Sequence, residues 1–194
     1  SAASDVYKRQ TWNRGREILL ERLRSDDIPL EPFLESLLAH PPIRVSGTSI
    51  FLTSNVNGVP HALLHNLAHN QVLHACIVFL TVDYLETPRV LKEERVSIKP
   101  LIGNCYQVTV KYGFKDEPNL PVALEMCKQH GLEFEPLKTS YFLSREIVVP
   151  SPGGGMTQWQ ERIFATMARN AGNAAEYFKL PANRVLELGT RIEI

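Results

Sequence analysis

The sequence predicts an α/β fold: a mixed, mainly parallel sheet flanked by helices, with a C-terminal helix and a closing strand. Three observations carry that expectation. Strand-like and helix-like patterns alternate from residue 48 onward in the order β-α-β-ββ-α-β-α-β. "CIVFLTVDYL", 76–85, is a continuous apolar run of strand length, as expected of a strand buried on both faces. "ERVSIKPLIGNCYQVTVKYGF" holds two strand patterns about a Gly103-Asn104 turn, a hairpin that makes the sheet mixed.

Each element has a local reason. "TWNRGREILLERLR", 11–24, reads as a basic amphipathic helix, with Ile18, Leu19 and Leu23 on one side and arginines around the rest. "PLEPFLESLLAHPP" is a short helical turn bracketed by prolines, so residues 11–45 read as a helix and a Pro-rich arm. "TSIFLTSN", 48–55, is a strand of β-branched and aromatic residues with a polar end. After the "VNGVP" turn, Pro60 suits a first helical position, and the helix is expected to run to about His74. The hairpin strands fall near 94–99 and 105–112. A helix over 118–131 is stopped by Gly131, and "TSYFLSREIVV", 139–149, is the next strand. "PSPGGG" is a loop. The helix over 156–178 is expected to be the longest, and "RVLELGTRIEI" closes the chain. Residues 46–194 thus form the α/β domain. The first ten, "SAASDVYKRQ", match no period and are read as a non-native leader.

Composition narrows the function. The 194 residues carry no net charge, so there is no long-range attraction toward nucleic acid. No apolar run reaches the roughly 18–20 residues needed to cross a bilayer. No apolar h-region marks a signal peptide. Cys76, Cys105 and Cys127 are scattered without zinc-ligand spacing and read as buried thiols in a reducing compartment. Trp12 beside Arg14 and Arg16 has two readings, a solvated surface helix or a cytoplasmic membrane boundary.

The densest candidate for chemistry is "HALLHNLAHNQVLH", 61–74. His61, His65 and His69 are spaced i, i+4, i+8 and form a stripe that drifts by about 40° per step. The outer two stand about 12 Å apart along the axis. They cannot share one ion through ligand bonds of about 2 Å. The segment has no acidic residue, so it is not a catalytic zinc helix of the HExxH kind. His65 and His69, with Asn66 and Asn70, are therefore expected to be structural and to hydrogen-bond to nearby backbone. No metal is expected.

Other chemistry is sparse. No Ser/His/Asp or Cys/His motif stands out, so no catalytic residue is assigned. Asp116 and Glu117 read as charges favoured by a helix N-terminus. Arg145 and Glu146 are either a buried ion pair or alternating exposed strand residues, and Arg169, Asn170 and Asn173 read as structural. A ligand in a parallel sheet binds at the carboxyl ends of the strands. The candidate edges are "LTSNVNG", with Ser54 and Asn55, and "VPSPGGGM", with Gly153, Gly154 and Gly155 before a helix N-terminus. No GK[ST] follows the glycines, and the stress-protein nucleotide spacing is absent.

One further reading comes from the wording of the blocks. "GTSIFLTSNVNGVPHALLHNLAHNQVLH", "YGFKDEPNLPVAL", "TSYFLSRE" and "RNAGNAAEYFKLPANRVLELGTRIEI" resemble, in order, the cytoplasmic C-terminal region of the bacterial K⁺ uptake permeases of the Kup/HAK/KT family. "TWNRGR" resembles the segment just after that family's final membrane helix. The resemblance covers about residues 11–194. It implies a regulatory or assembly domain of a proton-coupled K⁺ symporter, on the cytoplasmic face of the plasma membrane and joined to a transmembrane domain in the same polypeptide. It places Trp12, Arg14 and Arg16 beside the membrane. The K⁺ and H⁺ ligands would then lie in that membrane part. One class in the family has cytosolic domains similar to the universal stress protein fold, which dimerise and respond to cyclic di-adenosine monophosphate. That implies a homodimer and a regulatory nucleotide. The alternative is a stand-alone nucleotide-binding α/β module for ATP or a cyclic dinucleotide. An enzyme is not expected, nor a resident cofactor.

Overall fold

A computed structural model describes residues 2–25, 28–149, 158–169 and 173–193. Six strands form one sheet: β1 (Ile43–Leu52), β2 (Val72–Leu85), β3 (Val96–Pro100), β4 (Cys105–Gly113), β5 (Thr139–Val149) and β6 (Val185–Glu193). Their spatial order is β3-β4-β2-β1-β5-β6. β1 pairs parallel with both β2 and β5, and β2 pairs parallel with β4. The β3–β4 hairpin is antiparallel. The fold class read from the sequence is the one observed.

The chain divides into two compact units, 1–27 with 145–172 and 189–194, and 28–144 with 173–188. In the larger unit the strands alternate their side chains between two cores, as the pleat requires. Ile50, Val78, Leu80, Val108, Val110, Tyr141 and Leu143 face α4 (Leu120–Met126), which contributes Leu120, Ala123 and Leu124. Phe51, Ile77, Phe79 and Phe142 face α2 (Leu30–Ala39) and α3 (His61–Asn70), which contribute Leu30, Leu34, Ala62 and Leu63. Phe51 is fully buried and lies 4.8 Å from Phe142 and 6.2 Å from Phe79, ring centre to ring centre. Burying one such ring is worth about 1.5–3 kcal/mol.

Several boundaries moved for physical reasons. β1 starts at Ile43, inside the segment read as an arm, because β2 offers it a partner from Val72 onward. Its register shifts between Val45 and Thr48. Gly47 sits there at φ 99°, where a Cβ would lie 2.5 Å from the Lys138 carbonyl oxygen. α3 ends at Asn70, not near His74, because Gln71 turns left-handed at φ 55° and Val72 enters β2. α4 is shorter than its pattern and passes into a 3₁₀ turn, Cys127–His130, closed by Gly131 at φ 80°. The expected long helix over 156–178 becomes α5 (Gln158–Arg169) and α6 (Ala174–Tyr177), with 170–172 outside the described residues. Asn173 caps α6, its side chain accepting from the Ala175 N–H at 2.9 Å.

The smaller unit holds α1 (Ala2–Ser25), which begins well before the expected residue 11. Thr11, Gly15 and Ile18 are buried along one stripe, with Trp12 and Leu19 partly buried beside them. They meet Phe164 and Ala165 of α5. Trp12 lies 5.3 Å from the Phe164 ring, and a Cβ on Gly15 would stand 2.3 Å from that ring. Arg14 and Arg16 are exposed. Among the described residues no helix is long and apolar enough to cross a membrane.

Candidate functional site

The parallel order puts a topological switch at β1. The chain leaves β1 toward β2 on one side, and β4 later crosses to β5 on the other. A ligand crevice in such a sheet lies at the carboxyl end of the strands at this point. The loop after β1, residues 53–60, therefore occupies the expected place, and Ser54 and Asn55 are on it.

The loop is tied down from several directions. The Thr53 N–H donates to the Leu80 carbonyl at 2.9 Å, continuing the β1–β2 ladder by one bond. The Asn55 N–H donates to Thr53 Oγ1 at 3.1 Å, and the Asn57 N–H to Asn55 Oδ1 at 3.0 Å. These short polar side chains replace the ladder that β1 has just left. Gln107 Nε2, projecting from β4, donates to the Val56 carbonyl at 2.5 Å. On the outer side, the Leu30 N–H donates to the Asn57 carbonyl and the Val59 N–H to the Ile28 carbonyl, at 2.8 and 2.9 Å. Four loop amides, those of residues 53, 55, 57 and 59, are thus committed inside the fold. Ser54 stays exposed and Asn55 is half-buried. At the start of α3 the Ala62 N–H donates to Ser144 Oγ at 3.2 Å, which satisfies one end amide of that helix. Gly153, Gly154 and Gly155 lie outside the described residues.

A second polar cluster closes the carboxyl ends of β2 and β4. Asp116 does not sit on a helix N-terminus; α4 starts at Leu120 with Asn119 as its cap. Instead its carboxylate accepts from the Gly113 and Val90 N–H groups at 2.8 and 3.0 Å and pairs with Arg95 at 3.2 Å. The two amides, then Arg95, hold the Asp116 carboxyl below its ordinary range. Arg95 also donates to the Val90 carbonyl and lies 5.0 Å over the Tyr112 ring. The Tyr112 hydroxyl accepts from the Asn119 N–H at 3.0 Å. Glu117 is exposed and pairs with Lys179 at 3.2 Å. This network ties the turns around Val90, Gly113 and Asn119 together. Sequence spacing did not reveal it, because Arg95 and Asp116 lie on different turns. Arg145 is exposed, and the Glu146 side chain lies outside the described residues.

On α3 the hydrogen bonds fall differently from the expectation. Asn66 is buried, and its Nδ2 donates to the Val72 carbonyl at 3.1 Å. Its Oδ1 accepts from Asn70 Nδ2 at 2.8 Å. The asparagines thus tie the helix end to β2. His65 and His69 instead stand with ring centres 5.9 Å apart and planes 11° from parallel. Among the described residues the expected histidine-to-backbone bonds are not present. Among the described residues no group of three or more His, Cys, Asp or Glu side chains is arranged to hold a metal.

The comparisons with known proteins bear on the whole chain. A family model described as K⁺ potassium transporter C-terminal domain matches residues 46–194. The probable potassium transport system protein Kup of Nitrosospira multiformis is 74% identical over 184 residues, 95% of this chain and 29% of its own length. That of Herminiimonas arsenicoxydans is 53% identical over the same shares. Kup 2 of Cupriavidus necator is 54% identical over 187 residues, 95% of this chain and 30% of its own. The chain therefore spans about three-tenths of the length of these relatives. No solved structure matches.

Proposed function

This chain belongs to the K⁺ potassium transporter C-terminal domain family, and we propose that it is the regulatory and assembly domain of a proton-coupled K⁺ uptake transporter. The observation that carries the reading is the match of the α/β region, 46–194, to a family named for that position in a transporter. Relatives that are 95% covered on this side and only 29–30% on theirs support a linked transmembrane part. Those relatives are named as transport proteins, a transporter family rather than an enzyme family. In this reading the ion path and coupling groups belong to the transmembrane part, and the domain acts from the cytoplasmic face as a homodimer. Arg14 and Arg16, exposed on α1, are the groups that approach lipid headgroups. Trp12, packed on Phe164, contributes to the α1–α5 contact.

The test uses the full-length transporter in a bacterium lacking other K⁺ uptake. Rb⁺ uptake is measured with and without residues 46–194, at matched membrane abundance. A changed uptake rate, or a changed dependence on external K⁺, is expected. Identical uptake in the two would overturn the regulatory role. Crosslinking of the full-length protein tests assembly; a monomer throughout would remove the homodimer.

A second reading rests on the place of loop 53–60 at the sheet's switch point. There a regulatory nucleotide, ATP or a cyclic dinucleotide, binds at Ser54 and Asn55. Calorimetry with both ligands decides it, and no heat from either would end it.

A further inference from the structure

The histidine pair on α3 is left without a role by the fold and by the proposed function. The polar work expected of it is done by its neighbours. Asn66 holds the Val72 carbonyl and Asn70 holds Asn66, at 3.1 and 2.8 Å. That anchors the C-terminal turn of the helix to β2 and fixes the spacing of residues 65 and 69. The buried side of α3, Ala62 and Leu63, packs into the core beneath the sheet. His65 is half-buried and His69 exposed, three and seven residues on from Ala62 and so at the edge of that same face.

We propose that His65 and His69 form a two-point chelate for a divalent first-row transition metal, of the class of Zn²⁺, Ni²⁺ or Cu²⁺. Residues four apart share a helix face, and two imidazoles at that spacing supply two of the protein ligands in zinc helices. A metal bonded to a ring nitrogen at about 2.0–2.1 Å lies roughly 3.2 Å from that ring's centre. A tetrahedral angle at the metal then sets the two ring centres about 5.2 Å apart. The observed separation is 5.9 Å. A metal on both ring nitrogens lies near both ring planes, so each ring, now stacked 11° from parallel with the other, turns about its own side-chain bonds to bind it; His69 is exposed and His65 half-buried. Two waters complete the coordination sphere. Imidazole nitrogen selects borderline metals over K⁺, Mg²⁺ and Ca²⁺, which take oxygen ligands. The axial argument against a three-histidine site stands, so His61 is outside the chelate.

The experiment is calorimetric titration of the intact chain with NiCl₂ and with ZnCl₂ in a non-coordinating buffer. One saturable site per chain is expected, with a rise in melting temperature on saturation. His65→Ala and His69→Ala each should weaken binding by at least the roughly 10–100-fold that even an outer-shell partner of a metal site contributes. His61→Ala should leave it unchanged, and excess MgCl₂ should not compete. Circular dichroism confirms that each variant remains folded. No saturable binding to the wild-type chain would overturn the proposal. So would full affinity in His69→Ala, which would move the site to His61 and His65 or away from α3.

Discussion

Replacing Asn66 by alanine tests the central claim about α3, that asparagine and not histidine ties this helix to the sheet. Asn66 is 5% exposed. Its amide donates to the Val72 carbonyl at the first residue of β2 and accepts from Asn70. Alanine removes both bonds and leaves the Val72 carbonyl without its side-chain donor. A lost buried partner costs about 1–3 kcal/mol. Alanine is the better helix former, which returns roughly 0.5 kcal/mol. The net expectation is a loss of about 0.5–2.5 kcal/mol. For a chain of this size that is about 2–4 °C in Tm for each kcal/mol. His65→Ala and His69→Ala serve as the comparison and should cost under about 0.5 kcal/mol, because neither ring makes a hydrogen bond among those described. The assay is urea denaturation followed by circular dichroism, with amide exchange at Val72 and Leu73 reporting the local effect. A histidine variant that costs more than Asn66→Ala would refute the reasoning.

Other consequences follow from the packing and the charges. Gly15→Ala places a methyl 2.3 Å from the Phe164 ring, so the α1–α5 pairing should weaken by about 1–3 kcal/mol, read as faster proteolysis within α1. Asp116 is held below its ordinary value of 3.8, so it stabilises the fold above that pH and the contribution is lost as pH falls through its folded value. Asp116→Asn should therefore lower stability at pH 7 and flatten the acid limb below about pH 4 in urea melts. If the acid limb is unchanged, the carboxylate is not the group responsible. Burial pushes Cys105 and Cys127 up to about 11, so both should alkylate slowly at pH 8 in the native chain and quickly in urea. Cys76, only half-buried, should react first, and rapid native labelling of Cys105 would contradict the packing.

The sequence by itself determined the class of fold and the identity of most elements. The apolar run 76–85 lies within β2, where Ile77–Leu80 are buried alternately against the two cores, and a stretch covered on both faces has no reason to alternate with polar residues. β5 was legible residue for residue because proline-rich and charged segments flank a β-branched run. The family was legible too, since the wording of several blocks in order carries more information than any one motif. Tertiary structure decided what depends on partners far away in the chain. β1 reaches back to Ile43 because β2 supplies the ladder there, which no local window contains. α3 stops at Asn70 because Val72–His74 gain more as strand than as helix once β1 is beside them. The roles within "HNLAHN" were likewise out of reach of spacing alone. Histidine and asparagine offer similar hydrogen-bonding groups, and only the position of the Val72 carbonyl selects the buried amide of Asn66 and leaves His65 half-buried and His69 exposed.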